Sequence, residues 1–475
     1  MQTVVLIILA RLLTPSDFGI LGAATIVIGF SQIFTFLGIG PAIVQRTDLT
    51  DTHTKVGFTF SVAMGCLTGI VIIAVAARVA WFFRMPELEP IIKVLALVFP
   101  ITGLGVVSQS LLQREMQFRK LAFIQSISYA LGYGSTGICL AFAGWGPWAL
   151  VVAQISQASI NTCFLLCQRP QVIGFACKGH QLRQLLNFGS GFSLSVVASY
   201  IATHADNLIV GRLLGPAALG IYGRAYQFLM VPTILFGTVI EKVFFPAMAE
   251  VQRDRERLAR VFSRTVGVAA MILFPTSGLL ILFAPEIIRV LLGARWEASI
   301  APFQLLASIL LFRTSYKFSE SLAKAMGAVY RRAWRDWVYA GAVTGGSWAG
   351  HFFGVNGVAL GVAGAVFLNF CLMMDLSVRL TGASWRNLTS IHFRHLIIGF
   401  GVTAFAWFFK AWLVTQGVPP LIVLLCAGTF GLILVLSVWR IGPGMLGEEG
   451  LWVRPLLKHY LGIIVSSMRA PRIHN

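Results

Sequence analysis

Arg11-Leu-Leu-Thr-Pro15-Ser-Asp-Phe-Gly19-Ile-Leu-Gly22-Ala-Ala24 returns 201 residues later as Arg212-Leu-Leu-Gly-Pro216-Ala-Ala-Leu-Gly220-Ile-Tyr-Gly223-Arg-Ala225. Eight of the fourteen positions are identical, and they include the arginine, the proline and two glycines as well as apolar residues. Each copy sits between long apolar stretches. One transmembrane hairpin is therefore used twice, at matching places in two halves of the chain. Internal repeats of this size mark secondary-transporter folds, with a substrate path between the halves.

Composition agrees. Of 475 residues, 57% are hydrophobic and 12% charged, and the mean hydropathy is +0.80. Soluble domains carry about 25% charged residues. The chain reads as an all-α, multi-pass membrane protein with little left over for an aqueous domain. A net charge of +19 on a soluble protein would point to nucleic acid. Here the charges cluster at the ends of apolar stretches, so a membrane accounts for them and no nucleic acid is expected. The seven cysteines lie in or beside apolar stretches, and their odd number and unpaired spacing argue against a disulfide framework. Cys163, Cys167, Cys177 and His180 fit no zinc spacing, so neither a metal nor another cofactor is expected.

A span takes about 20 apolar residues. Breaks at charge, Gly and Pro clusters predict thirteen, near 17–44, 56–83, 90–112, 120–143, 146–167, 186–210, 217–241, 263–284, 299–326, 334–352, 356–378, 393–413 and 420–439. Residues 2–10 are apolar but too short to cross. They read as the outer half of a first helix whose beginning is missing, since a signal peptide would show a basic n-region and a small-residue cleavage site. The expected plan is fourteen helices grouped six, six and two, with helix 1 truncated. It comprises an N-terminal lobe (1–168), a cytoplasmic linker (169–185), a C-terminal lobe (186–380), two extra helices (381–440) and a cytoplasmic tail (441–475). With the connections labelled alternately, 24 Lys and Arg fall on one side and 7 on the other. That bias places the C-terminus in the cytoplasm.

Some charges fall inside the spans. Arg313, Lys317, Glu320 and Lys324 share one helical face. Such a face should meet a watery cavity or partner helices rather than lipid, and Glu320 can pair with Lys317 or Lys324. Asp206 and Arg224 flank the second hairpin at similar depth, with His204 nearby, and are expected to pair. Val5 and Ala23 occupy the equivalent places in the first half, so the second half carries the charge. Gln154, Gln157 and Asn161 share a face in one span, where they could hydrogen-bond sugar hydroxyls or join helices. No Gly-x4-Gly-Lys-Ser/Thr loop, His-Glu-x2-His or Gly-x-Ser-x-Gly occurs, and no long outer loop could host a membrane ligase or polymerase, so no enzyme is expected.

The run Leu9-Ala-Arg11 to Gly19 is followed by Leu37-Gly-Ile-Gly40-Pro-Ala-Ile-Val-Gln45-Arg46 and Leu112-Gln-Arg114-Glu-Met-Gln-Phe-Arg119-Lys120. Further on come Gly144-Trp-Gly146-Pro-Trp-Ala-Leu150, Asp206-Asn-Leu-Ile-Val-Gly211-Arg212 and Val243-Phe-Phe-Pro246-Ala-Met. This series, extending to about residue 440, resembles the bacterial polysaccharide flippases. In particular it resembles the colanic-acid and exopolysaccharide exporters of the multidrug/oligosaccharidyl-lipid/polysaccharide superfamily. The resemblance implies a MATE/flippase-like two-lobe bundle in the bacterial inner membrane. It implies translocation of undecaprenyl-diphosphate-linked oligosaccharide repeat units, by alternating access, for exopolysaccharide or lipopolysaccharide biosynthesis. Membrane lipids, a polymerase and a chain-length regulator are the implied partners. An anionic diphosphate needs a basic, wet cavity, for which Arg313, Lys317 and Arg224 are the candidates. Without an ATP site, an ion gradient, membrane potential or product removal must drive transport, and Asp206, His204 and Glu320 are the candidate ion carriers. Three other readings stay open: a small-molecule or drug antiporter of the same superfamily, which would want acidic groups in the cavity, a membrane polymerase or ligase, and a scaffold of glycan synthesis.

Overall fold

The computed structural model describes residues 2–36, 39–46, 48–169, 174, 176, 179, 182, 200–201, 203–239 and 244–441, and every regular element among them is helical. Most of the expected linker 169–185, most of the 186–210 span and the tail beyond Ile441 lie outside the described residues.

The repeated hairpin explains itself residue by residue. α1 (Gln2–Leu12) turns at Leu13-Thr14 into α2 (Pro15–Phe36). Thr14 caps α2: its backbone N–H and its hydroxyl both donate to Asp17 Oδ2 at 2.8 Å, and Asp17 N–H returns a bond to Thr14 Oγ1 at 3.3 Å. Pro15 takes the first helical position, where its missing N–H costs nothing. In the second copy, α10 (203–214) turns at Gly215, whose φ is +88°, into α11 (Pro216–Val239), again with proline first.

The described helices form two compact units. The first comprises Met1–Arg224, Leu291–Ser299 and Val343–Val358. It holds α1, α2, α3 (Ile39–Gln45), α4 (Asp51–Phe83), α5 (Leu88–Leu95), α6 (Val98–Arg114), α7 (Phe118–Ser128), α8 (Thr136–Phe142), α9 (Pro147–Gln168) and α10. Paired glycines let α4 and α6 touch: a Cβ on Gly65 would stand 2.7 Å from the Phe99 carbonyl oxygen, and one on Gly103 2.7 Å from that of Ser61. A π turn, Tyr129–Ser135, joins α7 to α8. Of the expected span 17–44, α2 is described to Phe36 and α3 from Ile39, and residues 37–38 lie outside the described residues. Arg114 then caps α3, donating to the carbonyls of Ile43 at 3.0 Å and of Arg46.

The second unit comprises Ala225–Val290, Ile300–Ala342 and Ala359–Asn475. Its helices are most of α11, α12 (Phe245–Glu250), α13 (Arg255–Leu291), α14 (Ile300–Ser308), α15 (Leu310–Ala325), α18 (Trp385–Thr415) and α19 (Pro420–Ile441). α16 (Val329–Gly350) and α17 (Gly354–Thr381) contribute residues to both units. α14 and α15 form one span bent by 42°. Pro285 inside α13 cannot donate to the Ile281 carbonyl, and Gln304 does so instead at 3.0 Å.

Among the described residues seven helices are long and apolar enough to cross a membrane, or eight with the bent pair. One of the seven, Tyr330–Thr381, is 52 residues long. Residues seven apart on a straight helix are about 10 Å apart. A Cβ on Gly350 would nevertheless stand 2.2 Å from the Gly357 carbonyl oxygen, so the chain reverses there, as the separate spans 334–352 and 356–378 require.

Candidate functional site

Arg313 is, with Arg335, one of two arginines that are buried among the described residues. It lies in the first half of α15 and is 7% exposed. Its guanidinium sits 4.7 Å over the Tyr226 ring and donates from Nη2 to the Tyr226 hydroxyl. Tyr316 and Tyr339 are close enough to feel its charge, and their rings lie 6.2 Å apart. Nη1 is buried and makes no hydrogen bond among the described residues. A buried guanidinium with spare donors and a tyrosine lining is matched to an oxyanion ligand. Lys317, one turn along, lies against α11, where a Cβ on Gly237 would be 3.2 Å from Nζ.

The rest of the charged stripe on α15 is an ion network. Glu320 pairs with Lys324 at 3.1 Å and with Arg332 at 2.9 Å, and Arg332 reaches Asp336 at 3.1 Å. The expected Glu320–Lys324 contact is present.

Arg224 occupies a second aromatic setting, in the first unit. Its guanidinium is 4.2 Å over the Phe18 ring. Tyr129 and Tyr133, stacked at 5.2 Å, lie near enough to feel its charge. Asp206 is 2% exposed and accepts a 2.7 Å hydrogen bond from the Tyr222 hydroxyl. Each member of the expected Asp206–Arg224 pair is thus engaged by an aromatic neighbour. The His204 ring lies 4.2 Å from that of Tyr200, tilted by 37°, and lines a cleft of about 580 Å³ together with Arg78, Phe30 and Phe82. Gln154, Gln157 and Asn161 are half-buried on α9, and their side chains make no hydrogen bond among the described residues. Among the described residues no group of three His, Cys, Asp or Glu could hold a metal.

Sequence reading passed over several residues. Trp296, fully buried, donates from Nε1 to the Ala10 carbonyl at 2.8 Å and packs its ring on Phe18. Ser299 donates to the Ile221 carbonyl at 3.2 Å, so this short segment bridges both copies of the hairpin. The copies also touch directly. A Cβ on Gly19 would stand 1.7 Å from the Pro216 oxygen, and one on Gly220 1.8 Å from the Pro15 oxygen. These are equivalent positions of the repeat. Lys410 and Arg335, near the ends of the expected spans 393–413 and 334–352, are paired: Lys410 with Glu286 at 2.8 Å and Arg335 with Asp375 at 3.0 Å.

The profile of a family described as polysaccharide biosynthesis protein matches residues 8–301. The lipopolysaccharide biosynthesis protein WzxC of Escherichia coli K12 is 24% identical over 395 residues, covering 80% of this chain and 78% of that protein. The teichuronic acid biosynthesis protein TuaB of Bacillus subtilis is 25% identical over 63% of this chain and 62% of its own length. The succinoglycan biosynthesis transport protein ExoT of Rhizobium meliloti is 27% identical over 61% and 58%. The match thus spans less than two thirds of the latter two. Among solved structures, the lipid II flippase MurJ in an inward closed conformation superposes with a TM-score of 0.71 at 15% identity, over 92% of this chain and 97% of its own. An inward-facing multidrug MATE transporter superposes with a TM-score of 0.63 at 16% identity, over 80% and 95%. At these identities the two share the fold.

Proposed function

This chain belongs to the polysaccharide biosynthesis protein family, and from that premise we propose that it is a flippase for lipid-linked oligosaccharide in the bacterial inner membrane. The cargo in this reading is an undecaprenyl-diphosphate-linked repeat unit, carried from the cytoplasmic to the periplasmic leaflet for exopolysaccharide or lipopolysaccharide synthesis. One observation carries it: a buried arginine, Arg313, caged by tyrosines and holding donors in reserve. Burying an unpaired cation is costly, and an anionic cargo repays the cost when it arrives. The names of the relatives point to glycans, and the lipid II flippase shares the fold.

In this scheme the diphosphate takes the free Nη1 of Arg313, with Lys317 beside it. Arg224, over Phe18, supplies a second cationic stop. The amides of Gln154, Gln157 and Asn161 offer donors and acceptors to sugar hydroxyls. Alternating access moves the cargo, with the Arg11 turn on the periplasmic side and the C-terminus in the cytoplasm. Asp206, His204 and Glu320 are the residues proposed to couple an ion. The product passes to a polymerase working with a chain-length regulator.

The test is a deletion strain complemented with this chain or with its Arg313→Ala or Lys317→Ala variant, read by the leaflet location of lipid-linked oligosaccharide in spheroplasts. The expected result is retention in the cytoplasmic leaflet for the deletion and for both variants at normal protein levels. A deletion that leaves the intermediate flipped but unpolymerised would overturn the reading.

A further inference from the structure

Within the second unit, α13, α15, α17 and α18 enclose a cleft of about 950 Å³. Its walls are aromatic: Phe274, Phe312, Phe367, Phe370, Phe393 and Phe400. Phe393 is 64% and Phe400 75% exposed, so one side lies open to whatever surrounds α18. The first turns of α18 close one end with polar groups, Arg386, Thr389 and Ser390, beside the ring of Trp385. Arg386 is exposed and has no ion-pair partner among the described residues. An apolar slot ending in a tryptophan and an arginine with no ion pair among the described residues is amphipathic in the sense of a lipid, with hydrocarbon along the walls and an anion at the mouth. The bias of Lys and Arg puts this end of α18 on the cytoplasmic side, where basic pockets between helices take anionic headgroups.

We propose that this cleft binds one anionic phospholipid of the cytoplasmic leaflet, its phosphate on Arg386 and an acyl chain along the phenylalanine walls. Charge selects this occupant over a polyprenyl diphosphate. One arginine balances one phosphodiester, whereas a diphosphate asks for several cations, and Arg313 with Lys317 supplies them elsewhere in the chain. The bound lipid fills the gap between α13 and α18. Direct contact already closes their far half: a Cβ on Gly399 would stand 2.9 Å from that of Phe274.

The experiment uses the full chain, delipidated in a nonionic detergent. Dioleoyl phosphatidylglycerol and dioleoyl phosphatidylcholine are titrated separately, with native mass spectrometry and melting temperature as readouts. The two lipids share their chains and differ in net charge. The parent should retain one phosphatidylglycerol about fivefold more strongly than phosphatidylcholine, the scale of one arginine at an anionic surface. Arg386→Gln should lose that preference while melting like the parent without lipid, and Arg386→Lys should keep it. Equal retention of both lipids by the parent, or an undiminished preference in Arg386→Gln, overturns the proposal. So does an added polyprenyl phosphate that displaces phosphatidylglycerol from the parent but gains nothing over it in Arg386→Gln, which would give the cleft to the carrier lipid.

Discussion

The contact between the two hairpin copies yields the sharpest prediction. Ordinary approach of a carbon to a carbonyl oxygen is about 3.3–3.6 Å. In Gly19→Ala the new Cβ starts 1.7 Å from the Pro216 oxygen, so the hairpins must part by roughly 1.6 Å. Trp296 is tied to the second copy through Ser299, and its bond to Ala10 of the first copy is 2.8 Å. The same displacement stretches that bond to as much as about 4.4 Å and breaks it. Overpacking costs about 1–3 kcal/mol, and a buried N–H left without an acceptor costs about 1–3 kcal/mol more. Even the low sum of about 2 kcal/mol shifts the closed arrangement about thirtyfold. The assay is labelling of Ala23→Cys, fully buried one turn beyond Gly19, in a cysteine-free background with a membrane-impermeant maleimide. Gly19→Ala and Gly220→Ala should each label at least tenfold faster. The double variant should be barely faster than either, because one parting relieves both contacts. Gly364→Ala, whose Cβ meets open space, is the control. Unchanged labelling and melting in both alanine variants would refute the reasoning.

Other outcomes follow from named contacts. Tyr226→Phe removes the acceptor of Arg313 and should lower stability by about 1–3 kcal/mol, seen as a lower melting temperature, and Arg313→Lys should not restore transport because a point charge cannot reproduce the stacked fork. Trp296→Phe keeps the ring against Phe18 but loses the bond to Ala10, so melting should fall while packing-dependent labelling at Ala23→Cys rises. Breaking the Lys410–Glu286 pair by either Lys410→Met or Glu286→Gln should cost about 3–5 kcal/mol, with the double variant recovering part of it in a thermal-unfolding cycle.

Much of this was legible in the chain because it is local. The Thr14-Pro15-Ser16-Asp17 cap, the proline at the first helical position and the glycine turns are written within a few residues. Seven spans among the described residues, or eight with the bent pair, follow from apolar length. What stayed hidden needs the third dimension. Tyr226, Tyr316 and Tyr339 lie on three different helices, and no spacing in the sequence brings them to one guanidinium. Lys410 sits near the end of its apolar run, and its partner is 124 residues away. A usable signal did exist. Glu286 follows Pro285 inside an apolar run, and a carboxylate there demands a partner. Arg335 lies at the start of the expected span 334–352, and Asp375 sits within the next span to receive it.

The Lys410–Glu286 tie also sets an order in time. Ribosomes add roughly 5–20 residues per second, so the 124 residues between the partners take about 6–25 s to appear. Throughout that interval α13 is already made and Glu286 stands without its cation. Lys410 brings with it a bond to the Leu282 carbonyl at 2.7 Å and a place 5.5 Å over the Phe283 ring. The last helices therefore act as the clasp of biogenesis. A chain stopped before α18 would leave a carboxylate stranded in its helix, a ready mark by which membrane quality control could tell an unfinished copy from a finished one.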